Sequence, residues 1–254
     1  MRKYRGLISS DWSECLSPSG PFDFMSFIYP HLTSELSVIF RQYTANMIAL
    51  SEAMQHCHEL LPAPLSVDQM DAYLDAQFAH YTGVPELIEA CLSRNILFMI
   101  NTTGSRGYFQ RVFFKKLLPR VSALSAQPGL TFPTTESDPE IIFDLQEIAD
   151  KPVNTALAAR HFQIAPQKIL VMGDSGGDGP HFKWAAEKNA IRVASMAKPS
   201  LKDFCAGQQL GIDHYVGISY QDSEPRRVAD EMLVDFRDLL SYISDRFDVQ
   251  KYWL

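Results

Sequence analysis

No stretch of this sequence approaches the roughly 18 consecutive apolar residues of a membrane span, so no membrane partner is expected. No CxxC pair occurs. Cys15, Cys57, Cys91 and Cys205 stand far apart and read as reduced thiols in or near a core. Positive charge is also short. With 23 Lys and Arg against 30 Asp and Glu, the formal charge is −7. That disfavours nucleic acid as a partner, because nonspecific binding needs a basic surface to release counterions. The N-terminus MRKYRGLISS is basic but lacks the apolar stretch and cleavage site of a secretory signal, and a cytoplasmic location is the expectation. There is no internal repeat and no low-complexity tract. No oligomeric state is assigned.

What is present is an ordinary globular composition. The 254 residues are 46% apolar, enough for one core or for a core with a small second domain. Short apolar runs at 4–10, 96–100, 168–172, 191–195 and 215–218 read as strands. Segments 84–94, 108–117 and 151–162 read as helices, and 228–247 as one long closing helix. Strands alternating with helices predict an α/β fold, a Rossmann-like parallel sheet with helices on both faces. Between about 23 and 81 the texture differs. Leu36, Ile39, Phe40, Tyr43, Met47 and Leu50 recur at helical spacing, Pro62 and Pro64 break the run, and Ser66 with Gln69 forms a helix-start signature. No strand is expected there. The organisation is therefore a core of 1–19 and 84–254 with a small all-helical domain, 20–83, inserted into it.

Polar clusters follow three of the strands, at Asp11, at Thr102 with Thr103 and Gly104, and at Asp174. Ligands of open α/β sheets bind beyond these carboxyl ends. The run Gly173-Asp174-Ser175-Gly176-Gly177-Asp178 puts two carboxylates on a glycine-rich turn, a donor set suited to a hard cation such as Mg²⁺. A carboxylate at Asp11 can attack phosphorus, provided that positive charge lies nearby, and Lys151 at a helix start can supply it. Thr102 can hydrogen-bond a phosphoryl oxygen beside the N–H groups of Thr103 and Gly104. Taken singly, Lys151 reads as a solvated lysine and Thr102 as an ordinary strand-end residue; it is their order along the chain that joins them.

That order, strand and Asp11, strand and Thr102, Lys151, then GDSGGD, resembles the four motifs of the haloacid dehalogenase (HAD) superfamily across nearly the whole chain. Tyr81-Thr82-Gly83-Val84-Pro85 also resembles the lead into that family's second motif. The resemblance implies an Mg²⁺-dependent phosphatase that acts on a small phosphorylated metabolite through an aspartyl-phosphate. Asp11 would be the nucleophile. Asp11, Asp174 and the Ser13 carbonyl would hold Mg²⁺, with Asp178 in support. Thr102 and Lys151 would grip the phosphoryl oxygens. The insertion occupies the C1 cap position and is similar to that of phosphoserine-phosphatase-like members.

The first motif departs from the family. Its phosphatases read Asp-x-Asp, whereas this chain reads Asp11-Trp12-Ser13. The second Asp is the family's acid and base, a role typically worth about 10²–10⁴-fold in rate. Ser13 cannot fill it. Glu14 or Asp23 could substitute, or the chain could be a weak relative that binds a phosphorylated ligand. A phosphonatase-like hydrolase would need a Schiff-base lysine in the insertion, and no lysine occurs between Trp12 and Phe114. Candidate readers of the substrate are Arg41, Arg106, Tyr43, His31, His56 and His58. His56-Cys57-His58 is not a zinc site, because residues two apart on a helix do not share a face and no second ligand pair accompanies them.

Overall fold

A computed structural model of the chain describes residues 3–44 and 47–247. The first strand, β1 (Gly6–Ser10), leads into four helices: α1 (Asp23–Ile28), α2 (Thr33–Thr44), α3 (Leu50–Leu60) and α4 (Val67–Gln77). The alternating part follows as α5 (Val84–Ser93), β2 (Ile96–Ser105), α6 (Arg106–Phe114), β3 (Ala123–Gln127), β4 (Ile141–Asp144), α7 (Asp150–His161) and β5 (Ile169–Gly173). It continues as α8 (Gly179–Glu187), β6 (Ile191–Ser195), α9 (Pro199–Gly207), β7 (His214–Val216), α10 (Val228–Glu231) and α11 (Leu239–Phe247).

All seven strands pair in parallel, in the order β4-β3-β2-β1-β5-β6-β7. Successive side chains of a strand point to opposite faces, and here both faces are buried. Leu7, Leu97, Met99, Ile169 and Val171 face Ala158, Phe182, Ala185 and Leu201 of α7, α8 and α9. Their neighbours Ile8, Phe98, Ile100, Leu170 and Met172 face the other way, into a cluster with α5, α6 and α11. The four helices after β1 belong to this second cluster through Phe24, Leu36, Tyr43, Leu50, Cys57 and Met70. Full burial of one such side chain contributes roughly 1.5–3 kcal/mol, so continuous apolar strands are what a two-sided sheet demands.

The helices carry their own start signals. At α4, Ser66 Oγ accepts the Gln69 N–H at 3.2 Å while Ser66 N–H donates to Gln69 Oε1 at 2.9 Å. Such a cap is worth about 1 kcal/mol. A bidentate pair, Arg111 to Asp71 with both contacts at 2.8 Å, ties α4 to α6. Among the described residues no strand lies between β1 and β2, and no helix is long and apolar enough to cross a membrane.

Two expectations are corrected. The closing segment is not one helix. α10 ends at Glu231, whose carboxylate is pulled inward by Tyr81, Tyr220 and Arg226. Phe236 then stacks on Tyr81 and donates its N–H to Thr82 O at 2.8 Å before α11 begins. These tertiary bonds outweigh the local helical period. The second strand also runs on through Thr102 and Thr103 to Ser105, with a register irregularity between Asn101 and Ser105. β3, β4 and α9 were not anticipated.

Candidate active site

β1 lies at the centre of the sheet, with β2 on one side and β5 on the other, so the loops leaving its carboxyl end diverge and open a crevice. Asp11 stands at that point. Its N–H donates to Met172 O at 2.9 Å, extending the pairing of β1 with β5. Asp174 follows the last residue of β5. Position 173 must be glycine, because a Cβ there would come within 2.3 Å of the Asp178 carboxylate. Asp178 turns back over this glycine, and its Oδ2 accepts the Asp174 N–H at 3.0 Å.

Lys151 enters from the first turn of α7 and is 2% exposed. Its Nζ lies 3.0 Å from Asp11 Oδ2 and 2.6 Å from Asp178 Oδ1. A buried polar network sets its position. Asn101 Nδ2 donates to the Lys151 carbonyl at 2.8 Å and to Thr155 Oγ1 at 3.0 Å, and Thr155 Oγ1 meets His181 Nε2 at 2.9 Å. Burial pushes His181 down to about 3, so its imidazole is neutral.

Asp11, Asp174 and Asp178 offer carboxylate oxygens within 4.8 Å of one another. Burial pushes the Asp11 carboxyl up, against the pull of Lys151. Burial likewise raises Asp174 to about 7, against Lys198. Asp178 is buried too, yet Lys151 holds it below the usual carboxylate range. Asp11 and Asp178 in turn hold Lys151 above the usual ammonium range, although burial works the other way. Three crowded carboxylates and an all-oxygen donor set fit a hard divalent cation such as Mg²⁺. Asp174 has the most room for it, since Lys198 meets only its Oδ2. Asp11 and Asp178 each have one oxygen facing Lys151 and the other accepting a backbone N–H, from Trp12 and Asp174 respectively.

A cavity of about 390 Å³ opens over the cluster, lined by Asp11, Ser13, Glu14, Thr103, Lys151, Asp174 and Lys198, together with Phe40 and Tyr43 of α2. A larger depression of about 530 Å³, at Pro85, Glu89, Lys116 and Arg120, shares no residue with the carboxylate cluster. The smaller cavity is the one at the sheet's carboxyl end, where this architecture binds ligands.

Asp11, Ser13, Lys151, Asp174 and Asp178 therefore converge. Others do not. Thr102 is fully buried beneath the cavity, and its Oγ1 accepts the Gly104 N–H at 3.2 Å. Thr103, one residue on and hence on the other side of the pleat, lines the cavity instead. Gly104 borders a small adjoining cleft with Trp12 and Tyr108. Arg106 lies outside, paired with Asp144 on the edge strand. Arg41 is exposed and faces a neighbouring chamber with Asp23 and Arg226. His31, His56 and His58 do not line the main cavity. Of the two proposed substitutes for the missing acid, Asp23 caps Gly20 N–H at 2.7 Å, outside the cavity. Glu14 lines it but is ion-paired with both Lys198 and Arg226. Glu14 also sits at φ 57, a left-handed conformation uncommon outside glycine.

Lys198 escaped the sequence reading. It follows β6, its N–H donates to Asp174 O at 2.8 Å, and its Nζ lies 2.5 Å from Asp174 Oδ2. The available signal was its place just beyond a fourth strand end.

No family model matches the sequence, and no curated protein matches it. Solved structures do match in fold. A phosphoserine phosphatase described as a phospho-aspartyl intermediate analogue superposes with a TM-score of 0.65 at 16% identity, covering 95% of this chain and 100% of that one. A substrate-bound phosphoserine phosphatase complex gives the same TM-score and identity over 95% and 99%. A HAD family hydrolase from Salmonella enterica serovar Typhi gives 0.67 at 15%, over 99% and 73%. The chain thus shares the fold of these phosphoserine phosphatases and of this HAD family hydrolase.

Proposed function

We propose that this protein is an Mg²⁺-dependent phosphatase that cleaves a small phosphorylated metabolite through an aspartyl-phosphate on Asp11. One observation carries the reading. A buried lysine spans Asp11 and Asp178 at 3.0 and 2.6 Å, with Asp174 alongside, at the base of the cavity where the sheet's strands end.

In this reading the Asp11 carboxylate attacks phosphorus, and the bond to the leaving oxygen breaks. Lys151 works against burial to favour the charged form of the nucleophile, and it offers a positive group to the phosphoryl oxygens. Thr103, with the backbone N–H groups that follow it, takes the gripping role that the sequence suggested for Thr102. Asp178 fixes Lys151 and the Asp174 loop. Asp11, Asp174 and the Ser13 carbonyl would hold Mg²⁺, which would supply Lewis-acid charge where the phosphoryl group's charge develops. The rest is positioning and electrostatics, which phosphoryl transfer chiefly requires. Segment 20–83 acts as the cap over a core of 1–19 and 84–254, and Phe40 and Tyr43 of α2 face the site from it.

The test is hydrolysis of para-nitrophenyl phosphate with Mg²⁺ by the wild type and by Asp11→Asn. The variant is expected to fall to background while keeping the wild-type fold by circular dichroism. Activity that survives the substitution would overturn the nucleophile assignment.

A further inference from the structure

We propose that Tyr43, on α2, is the proton donor to the leaving oxygen, the role that Ser13 leaves vacant. The inference rests on the phosphatase reading and adds a residue to it.

The argument is one of elimination among the groups that line the cavity. Lys151 is held between Asp11 and Asp178, and Lys198 between Asp174 and Glu14. Each carries its proton within ion pairs whose loss would strip the site of positive charge. Glu14 is itself clamped, one carboxylate oxygen by Lys198 and the other by Arg226, so neither is turned to the leaving group. Asp11 is the nucleophile, and Asp174 belongs to the cation site. Ser13, Thr44, Thr103, Ser175 and Ser200 are alkanols, no more acidic than the leaving group they would have to protonate. Tyr43 alone among the described lining residues combines an ionisable O–H with freedom from a carboxylate partner.

Its placement suits the task. Tyr43 is 8% exposed, its ring packs in the core cluster, and it lines the cavity together with Thr103. Phosphorus must lie against Asp11, and the leaving oxygen departs in line on the far side. Tyr43 lines the same cavity as Asp11, Thr103 and Lys151. Burial pushes the phenol up to about 12, so it keeps its proton at neutral pH yet remains a stronger acid than an alcohol.

The chemistry balances. As the P–O bond breaks, the leaving oxygen takes the phenol proton and departs as an alcohol, leaving tyrosinate. In the second half, water attacks the aspartyl-phosphate and gives a proton to the tyrosinate. That restores Tyr43 and the Asp11 carboxylate and releases inorganic phosphate.

Tyr43→Phe keeps the ring and removes only the hydroxyl. It should be compared with the wild type on para-nitrophenyl phosphate, whose leaving group needs no proton, and on glycerol phosphate, whose leaving group does. The kcat/KM for glycerol phosphate is expected to fall by about 10²-fold or more, the scale of general acid catalysis. The kcat/KM for para-nitrophenyl phosphate should barely change, because nitrophenolate departs without a proton and leaves the phenol as it was. Equal losses on both esters would mark a packing role and overturn the proposal, as would undiminished cleavage of glycerol phosphate. A wild type that cleaves only the aryl ester has no working donor and also overturns it. A wild type that cleaves neither ester removes the phosphatase reading itself.

Discussion

Two buried ionic clusters lie side by side in this protein, and Glu14 touches both. The first gathers Asp11, Asp174 and Asp178 around Lys151 and Lys198. The second surrounds Glu231, which is fully buried and accepts from Tyr81 at 2.6 Å, Tyr220 at 2.8 Å and Arg226 at 2.7 Å. Arg226 completes it by reaching Glu14 at 2.5 Å. Residue types, burial and distances are alike. The state of the carboxyls is not. In the first cluster burial wins at Asp11 and Asp174 and pushes both up. At Glu231 burial also pushes up, but the hydrogen bonds from Arg226, Tyr81 and Tyr220 outweigh it and hold the carboxyl below its ordinary 4.5. The lesson is that a buried charge alone does not mark chemistry. Carboxylates that exceed their cations beside a cavity ask for a ligand, whereas a carboxylate with every partner supplied is a strut.

The largest effect should come from Lys151→Met. Two buried carboxylates would lose their shared cation, and breaking a buried pair costs about 3–5 kcal/mol. Turnover of para-nitrophenyl phosphate should fall about 10³-fold as well, the upper end for losing one preorganised donor. A variant that loses stability but keeps its rate would make the first cluster a strut like the second.

Glu231→Ala should separate stability from rate. It strands the Tyr81 and Tyr220 hydroxyls and half of Arg226, again at about 3–5 kcal/mol. In a chain of this size that lowers Tm by roughly 6–20 °C. At temperatures where the variant is folded, kcat/KM should stay near that of the wild type. Because the folded carboxyl lies below its unfolded value, its stabilisation is present above about pH 4.5 and is lost on further acidification. The stability gap between wild type and variant should therefore close as pH falls through that range. A gap that widens, or a collapse in rate, would erase the distinction.

The sequence made these clusters unequally legible, and the fold with them. β2 and β5 announced themselves as unbroken apolar runs, as burial on both faces requires, and β1 and β6 as shorter ones interrupted by Ser9, Ser10 and Arg192. β3 reads Ala-Leu-Ser-Ala-Gln and β4 is an edge strand of four residues, so neither carries such a run. The long closing helix was over-read because its period is real, and only the distant Tyr81 and Thr82 interrupt it. In the site, Asp11, Lys151, Asp174 and Asp178 stood at strand and helix ends where the reading looked. The choice of Thr102 over Thr103 turned on strand parity, which the irregularity after Asn101 hides. Lys198, Tyr81 and Glu231 come from distant segments with no shared pattern, and only tertiary packing joins them.

The smallest effect is the one that divides the clusters most cleanly. If the first has unmet demand for positive charge, Mg²⁺ should raise Tm. At a concentration about 100-fold above Kd the gain is about 2.7 kcal/mol, or roughly 5–10 °C for a chain of this size. Asp174→Asn removes a proposed cation ligand and one of the crowded carboxyls together. It should abolish the Mg²⁺ shift while leaving the metal-free protein at least as stable as the wild type. Glu231→Ala should show the opposite pattern, with a lower starting Tm and the full shift on adding Mg²⁺. Differential scanning fluorimetry with and without Mg²⁺ reads all three proteins. A shift that survives Asp174→Asn would move the cation elsewhere. A shift lost in Glu231→Ala would mean that Arg226 and Glu14 transmit the strut's integrity to the metal site, so that the two clusters are one unit.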